Sequence, residues 1–131
     1  MPTSNTRPEV GCPFCSMPAG RILGSNAAGY RVADLFPVAV GHGLVIPHRH
    51  VADFFDLTDE EWAGLLALLR QGREELAVSC QPDGFTVGVN VGVAAGQTVP
   101  HAHLHLIPRH TGDVPDATGG VRGVIPGKAR Y

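Results

Sequence analysis

The apolar positions change period along the chain, and each period predicts an element. Trp62, Leu65, Leu66, Leu69 and Leu76 recur at helical spacing and make one buried stripe. They predict a helix from about residue 59 to about residue 79, ahead of Pro82. Thr58 stands three positions before Glu61, the spacing of a capping box, and marks its start. The period then drops to two. Phe85, Val87, Val89 and Val91 alternate with Thr86, Gly88, Asn90 and Gly92, which predicts a strand from Gly84 to Val91. Its valines are assigned to the core and Asn90 to the opposite face. After a Gly-containing loop from Val93 to Pro100, Ala102, Leu104 and Leu106 alternate with His101, His103 and His105 in a further strand ending at Pro108. Shorter apolar runs at Gly29–Ala33 and Gly43–Pro47 predict two earlier strands.

Strands, one long helix, then strands with short connections make an antiparallel sheet with the helix on one face, an α+β solution. Residues 1–10 read as a flexible tail and 111–131 as an extended C-terminal arm, with no internal repeat. At 131 residues and 44% hydrophobic content, one domain is expected over 1–131. A net charge of -2 argues against a nucleic-acid partner. No apolar run reaches membrane-spanning length and the N-terminus has no apolar signal core, so a cytoplasmic location without membrane association is expected. Three cysteines, Cys12, Cys15 and Cys80, disfavour a disulfide framework.

Three imidazoles projecting from one face of one strand are not core packing. They form either a metal site or a site where histidine does chemistry. A single ion held by all three ranks low, because the first and third positions stand about 13 Å apart along a strand. Cys12 and Cys15 have common zinc-ligand spacing, with a redox pair or two idle thiols as the alternatives.

His101 to Ile107 resembles the histidine triad motif, histidine alternating with apolar residues. Four further segments resemble that superfamily in the same order: Cys12-Pro13-Phe14-Cys15, Gly41 to Pro47, Asn90, and Ala95 to Val99. The resemblance covers roughly residues 12–110, and Gly119 to Pro126 is similar to a tail of some bacterial members. It implies an antiparallel sheet of about five strands with one long and one short helix.

The resemblance also implies a nucleotide hydrolase or transferase working at an α-phosphate, on a nucleoside phosphoramidate, an adenylylated amine or a dinucleoside polyphosphate. A nucleotidyltransferase or phosphorylase, or a non-catalytic purine nucleotide-binding protein, are the alternatives. His103 would be the nucleophile, its other ring nitrogen held as a donor by a backbone carbonyl that the sequence does not identify. His42 and His105 would flank the phosphate. Thr98 replaces the usual serine, and Gln97 and Asn90 would orient the phosphate. Asp34 would bind the ribose hydroxyls, with Leu35 and Phe36 walling the base slot. A structural zinc ion would be held by Cys12, Cys15, His50 and His101. A homodimer is implied as well. Cys80 reads as an ordinary buried residue, His48 and His110 as surface histidines, and Arg109 as solvated.

Overall fold

The computed structural model describes residues 8–131; of the expected tail, Met1–Arg7 lie outside the described residues. Five strands form one antiparallel sheet: β1 (Ile22–Ser25), β2 (Gly29–Ala33), β3 (Gly43–Pro47), β4 (Gly84–Val89) and β5 (Leu104–Arg109), in the order β1-β2-β3-β5-β4. One long helix, α1, spans Asp59–Ser79. The fold is α+β, as the alternating periods predict. β1 was not foreseen: four residues containing a glycine, with a register shift between Ile22 and Gly24 and Leu23 exposed, carry no two-residue period. The short helices are four 3-10 turns.

The start of α1 is built as the capping box requires. Thr58 Oγ1 accepts from the Glu61 N–H at 3.1 Å, and Glu61 Oε1 accepts from the Thr58 N–H at 2.9 Å. Glu61 also pairs with Arg49 at 2.7 Å, and this guanidinium holds the Glu61 carboxyl below its ordinary value. Arg49 lies between His48 and His50, so the helix start is tied to a segment of the site.

The buried helix face differs from the predicted stripe. Leu65, Leu68 and Gly72 are buried, while Leu66 is 53% exposed. Burying Leu65 and Leu68 contributes about 2 kcal/mol each. They pack with Val45, Val51, Leu57 and Leu104 on one face of the sheet. Gly29 of β2 allows this approach: a Cβ there would meet Leu65 Cδ2 at 2.8 Å and run into the Ile46 carbonyl oxygen. On the opposite face Tyr30, Val32, Leu44 and Ile46 pack against Phe14, Met17 and Ile22. The sheet is therefore covered on its second face by the N-terminal segment, and the cleft opens there.

Three further expectations change. β4 ends at Val89, and as an edge strand it leaves Val87 40% exposed instead of in the core. Arg109, partly exposed, is also held by the protein: it grips Asp113 through two bonds of 2.7 and 2.8 Å and donates to Thr86 Oγ1. The arm curls on itself through an Arg130–Asp116 pair, and Arg122 lies over the Tyr131 ring. Cys80 caps α1 and is half-buried, and His48 and His110 are exposed as expected.

Candidate active site and metal centre

The strand carrying the histidines begins at Leu104, not at His101. Its pairing with β3 stops at Val45↔Leu104. Ala102, Leu104 and Leu106 are buried, as the alternation predicts, but His101 is turned away from the other two imidazoles. The bend before β5 is fixed by the His101 N–H donating to Val99 O at 2.8 Å and the Ala102 N–H donating to Val51 O at 2.7 Å. The three rings consequently occupy two different sites.

His101, fully buried, donates from Nε2 to the Pro47 carbonyl at 2.8 Å. Its Nδ1 lone pair therefore points into a cluster. That nitrogen stands 3.2 Å from His50 Nδ1, 3.5 Å from Cys12 Sγ and 3.6 Å from Cys15 Sγ, with Cys15 Sγ 3.2 Å from His50 Nδ1. A tetrahedral ion with Zn–N and Zn–S bonds of ordinary length sets its ligands about 3.3–3.8 Å apart. The four predicted ligands fit a closed, tetrahedral metal centre. Glu9 Oε2, 3.8 Å from His50 Nε2, is a second-layer partner that the sequence did not signal. Burial raises the Cys15 thiol above its ordinary value, so an ionised thiolate there calls for a cation beside it.

His103 and His105 line a cleft of about 360 Å³ with Asp34, Leu35, Phe36, Asn90, Gln97 and Thr98. All the predicted phosphate and nucleoside residues are thus brought to one place except His42, which lies directly behind His105. Phe14, Met17 and Arg21 complete the wall. Sequence reasoning missed these three. Phe14 sits inside the Cys-x-x-Cys turn, a usable signal; Arg21 stands at the head of the unforeseen β1.

The ring protons follow from the backbone. His103 Nδ1 donates to the His101 carbonyl at 2.8 Å, which identifies the carbonyl left open by the sequence and leaves the Nε2 lone pair free. The Val38 N–H donates to His42 Nδ1 at 3.1 Å, so a neutral His42 carries its proton on Nε2. Nε2 in turn donates to His105 Nδ1 at 2.9 Å, which puts the His105 proton on Nε2. Burial lowers the pKa of both His42 and His105; Asp34 opposes this at each, and His103 and His42 reinforce it at His105. Asp34, His42 and His105 also lie close enough to suggest a cation site, but the Val38 N–H fills one His42 nitrogen and keeps the proton on the other, which faces His105. Gln97 has both amide hydrogens engaged, with Ala52 O at 2.8 Å and Val99 O at 3.1 Å, and accepts from the Gly92 N–H. Its amide holds the loop in shape beside the cleft.

A HIT domain model matches residues 20–112. The chain belongs to the HIT domain family. The match leaves out Cys12 and Cys15, so half of the candidate metal-binding cluster of this HIT protein lies upstream of it. An AP-4-A phosphorylase of Mycobacterium tuberculosis is 36% identical over 126 residues, 94% of this chain and 64% of the relative. The HIT protein thus spans just under two thirds of that enzyme's length. An adenosine 5'-monophosphoramidase of Schizosaccharomyces pombe is 34% identical over 76% of this chain and 75% of its own. A zinc-bound histidine triad family protein of Mycobacterium smegmatis superposes with a TM-score of 0.69 at 36% identity, covering 81% of this chain and 84% of that one. No helix among the described residues of the HIT protein is long and apolar enough to cross a membrane.

Proposed function

We propose that this HIT protein transfers a nucleotidyl group from the α-phosphate of a nucleoside phosphoramidate, adenylylated amine or dinucleoside polyphosphate to water, through His103. The observation that carries the reading is the bond from His103 Nδ1 to the His101 carbonyl. It sets the proton of the neutral ring on Nδ1, so that Nε2 carries the lone pair a nucleophile needs. In the first step a bond forms from Nε2 to the α-phosphorus as the bond to the leaving group breaks. The leaving atom keeps the electron pair and, where it is an amine nitrogen, takes a proton from His105 Nε2. In the second step water attacks the same phosphorus and gives up a proton to solvent, the bond to His103 breaks with its electron pair returning to Nε2, and a nucleoside monophosphate such as AMP departs. The cleft supplies the supports: the His105 Nε2–H and Thr98 as donors to phosphate oxygens, Asn90 alongside, Asp34 for the ribose diol, and Leu35, Phe36 and Phe14 as an apolar slot for the base.

Phosphate in place of water in the second step is favoured by the mycobacterial phosphorylase, to which 94% of this chain aligns. Rapid quenching after mixing with adenosine phosphoramidate, followed by mass spectrometry, is expected to find a nucleotidyl adduct on His103. The His103→Ala variant is expected to bind AMP and form no product. Turnover by that variant at the wild-type rate would end the reading, and a nucleoside diphosphate formed only with added phosphate would select the phosphorylase.

Zinc is the proposed occupant of Cys12, Cys15, His50 and His101, in a structural role. The zinc-bound neighbour and the ligand spacing support it. There it would hold His101, and through the His101 carbonyl the nucleophile's tautomer. We also propose a homodimer, supported by the 40% exposed Val87 on edge strand β4 and by exposed Leu66 on α1, to be checked by sedimentation. The three unpaired thiols support a reducing, cytoplasmic location.

A further inference from the structure

Asp34 stands where two tasks meet. Its Oδ1 accepts from the Phe36 N–H at 2.9 Å and holds the turn after β2. Its Oδ2 is 3.4 Å from His42 Nε2 and 4.0 Å from His105 Nδ1. Those two nitrogens are themselves 2.9 Å apart and share one proton, because the Val38 N–H fills the other His42 nitrogen. A leaving amine needs a proton, and neutral imidazole is a poor acid. The pair must therefore hold one proton more than its resting complement. That proton sets two N–H groups face to face, beside Asp34 Oδ2. The titratable groups that face the pair are Asp34, from the loop after β2, which favours the added charge, and His103, from the segment before β5, which opposes it.

We propose that Asp34 is the counter-ion of the leaving-group acid. Its Oδ2 lets the His42–His105 pair carry the extra proton beside a bound phosphate. Ribose hydroxyls donating to the same carboxylate tie release of that proton to a correctly seated nucleotide. The inference rests on the nucleotidyl-transfer reading above. When the bond from phosphorus to the leaving atom breaks, that atom keeps the electron pair and takes the His105 Nε2 proton. The proton on His105 Nδ1 moves to Nε2 by exchange with solvent, and Nδ1 again accepts from His42. A merely sugar-binding Asp34 would alter KM alone; a counter-ion alters kcat, and only where the leaving group must be protonated.

The test uses three substrates: adenosine 5'-phosphoramidate, its 2',3'-dideoxy analogue, and the p-nitrophenyl ester of AMP, whose phenolate leaves without a proton. Asp34→Asn is expected to lose about tenfold more kcat on the phosphoramidate than on the ester. It is also expected to move the alkaline limb of the phosphoramidate kcat profile down by about one pH unit, the direction for removing a carboxylate that favours the charged pair. With the wild type, the dideoxy substrate lowers kcat as well as raising KM; with Asp34→Asn the diol ceases to affect kcat. Asp34→Ser, which keeps an acceptor for the Phe36 N–H and drops the charge, gives the same split. Equal losses on both leaving groups with an unmoved limb would overturn the inference and leave Asp34 a sugar ligand. A wild type inert toward both the phosphoramidate and the ester would instead overturn the nucleotidyl-transfer reading, and this inference with it.

Discussion

Lowering the pH from about 7.5 to about 5.5 is expected to weaken the fold through His42 and His105. Both rings have pKa values pushed below the ordinary histidine value by burial, against a smaller opposing pull from Asp34. In the unfolded chain both titrate near 6.5. Below that pH the unfolded state binds more protons than the native state. The stability held by the two neutral rings is therefore complete above about pH 6.5 and is lost as the pH falls toward their native values. Each such group gives a slope of about 1.4 kcal/mol per pH unit, so the two together give at most about 2.7 kcal/mol per unit. A small domain is stable by only about 5–15 kcal/mol, so this slope is large. Glu61, held below its ordinary value by Arg49, contributes stability that is lost as the pH falls through that lowered value, beneath the span of this assay. The assay is urea unfolding of zinc-loaded protein at half-unit pH steps, followed by the fluorescence of Trp62, the single tryptophan. Loading keeps the proposed zinc cluster in one state across the pH series. His42→Asn removes one of the two protons and is expected to reduce the slope by about 1.4 kcal/mol per pH unit. A stability that stays level between the two pH values, or a slope that His42→Asn leaves untouched, refutes the reasoning.

Glu75→Ala is expected to destabilise the fold by about 1–2 kcal/mol in urea unfolding. The Arg31 side chain is 7% exposed, has one carboxylate partner at 2.6 Å and an unpartnered Nε, while Glu75 is 60% exposed and lets water compensate in part. Arg31→Met with Glu75→Ala is expected to recover the loss, and a single variant indistinguishable from wild type would mean that water serves the guanidinium as well as Glu75 does. Cys12→Ser with Cys15→Ser is expected to abolish bound zinc, about one ion per wild-type chain by elemental analysis, and to lower the melting temperature; metal content that survives the double substitution would place the ion elsewhere.

Much of the site was legible because its residues sit in short motifs whose types have few other uses. Cys12, Cys15, His50 and His101 gather in one cluster, and His103 and His105 line the cleft with His42 behind His105. The helix bounds were legible because a capping box and a proline bracket them. What escaped has physical causes. Leu66 and Leu68 both fit a helical stripe on paper, and which one is buried depends on how α1 is rotated against β2 and β3, a tertiary quantity. Val87 follows the two-residue period, yet β4 is an edge strand, and sheet order is not written in local periodicity. Gln97 is an amide in a phosphate-binding segment, but both its hydrogens go to backbone carbonyls at 52 and 99, partners no pattern reveals. Val38 contributes through its N–H alone, and a backbone donor leaves no trace in residue type.

The start of β5 at Leu104 explains how three histidines at two-residue spacing acquire three different surroundings. A strand continuing back to His101 would put its three rings on one face in equivalent surroundings and commit the His101 carbonyl to the ladder. Instead pairing with β3 stops at Val45↔Leu104, and the chain bends through Val99, Pro100 and His101. The Pro47 carbonyl is then free to take the His101 Nε2 proton, which turns the Nδ1 lone pair toward the cysteines. The His101 carbonyl is free to take the His103 Nδ1 proton, which leaves a lone pair on Nε2. His105, inside the strand and opposite Leu44, receives its partner from His42 and keeps its proton on the nitrogen away from it. The three proposed roles, metal ligand, nucleophile and proton donor, thus follow from which backbone or ring atom meets each Nδ1 or Nε2. Any substitution that straightened residues 99–103 is expected to break up the Cys12–Cys15–His50–His101 cluster and the His103 tautomer together, with all three histidines still present.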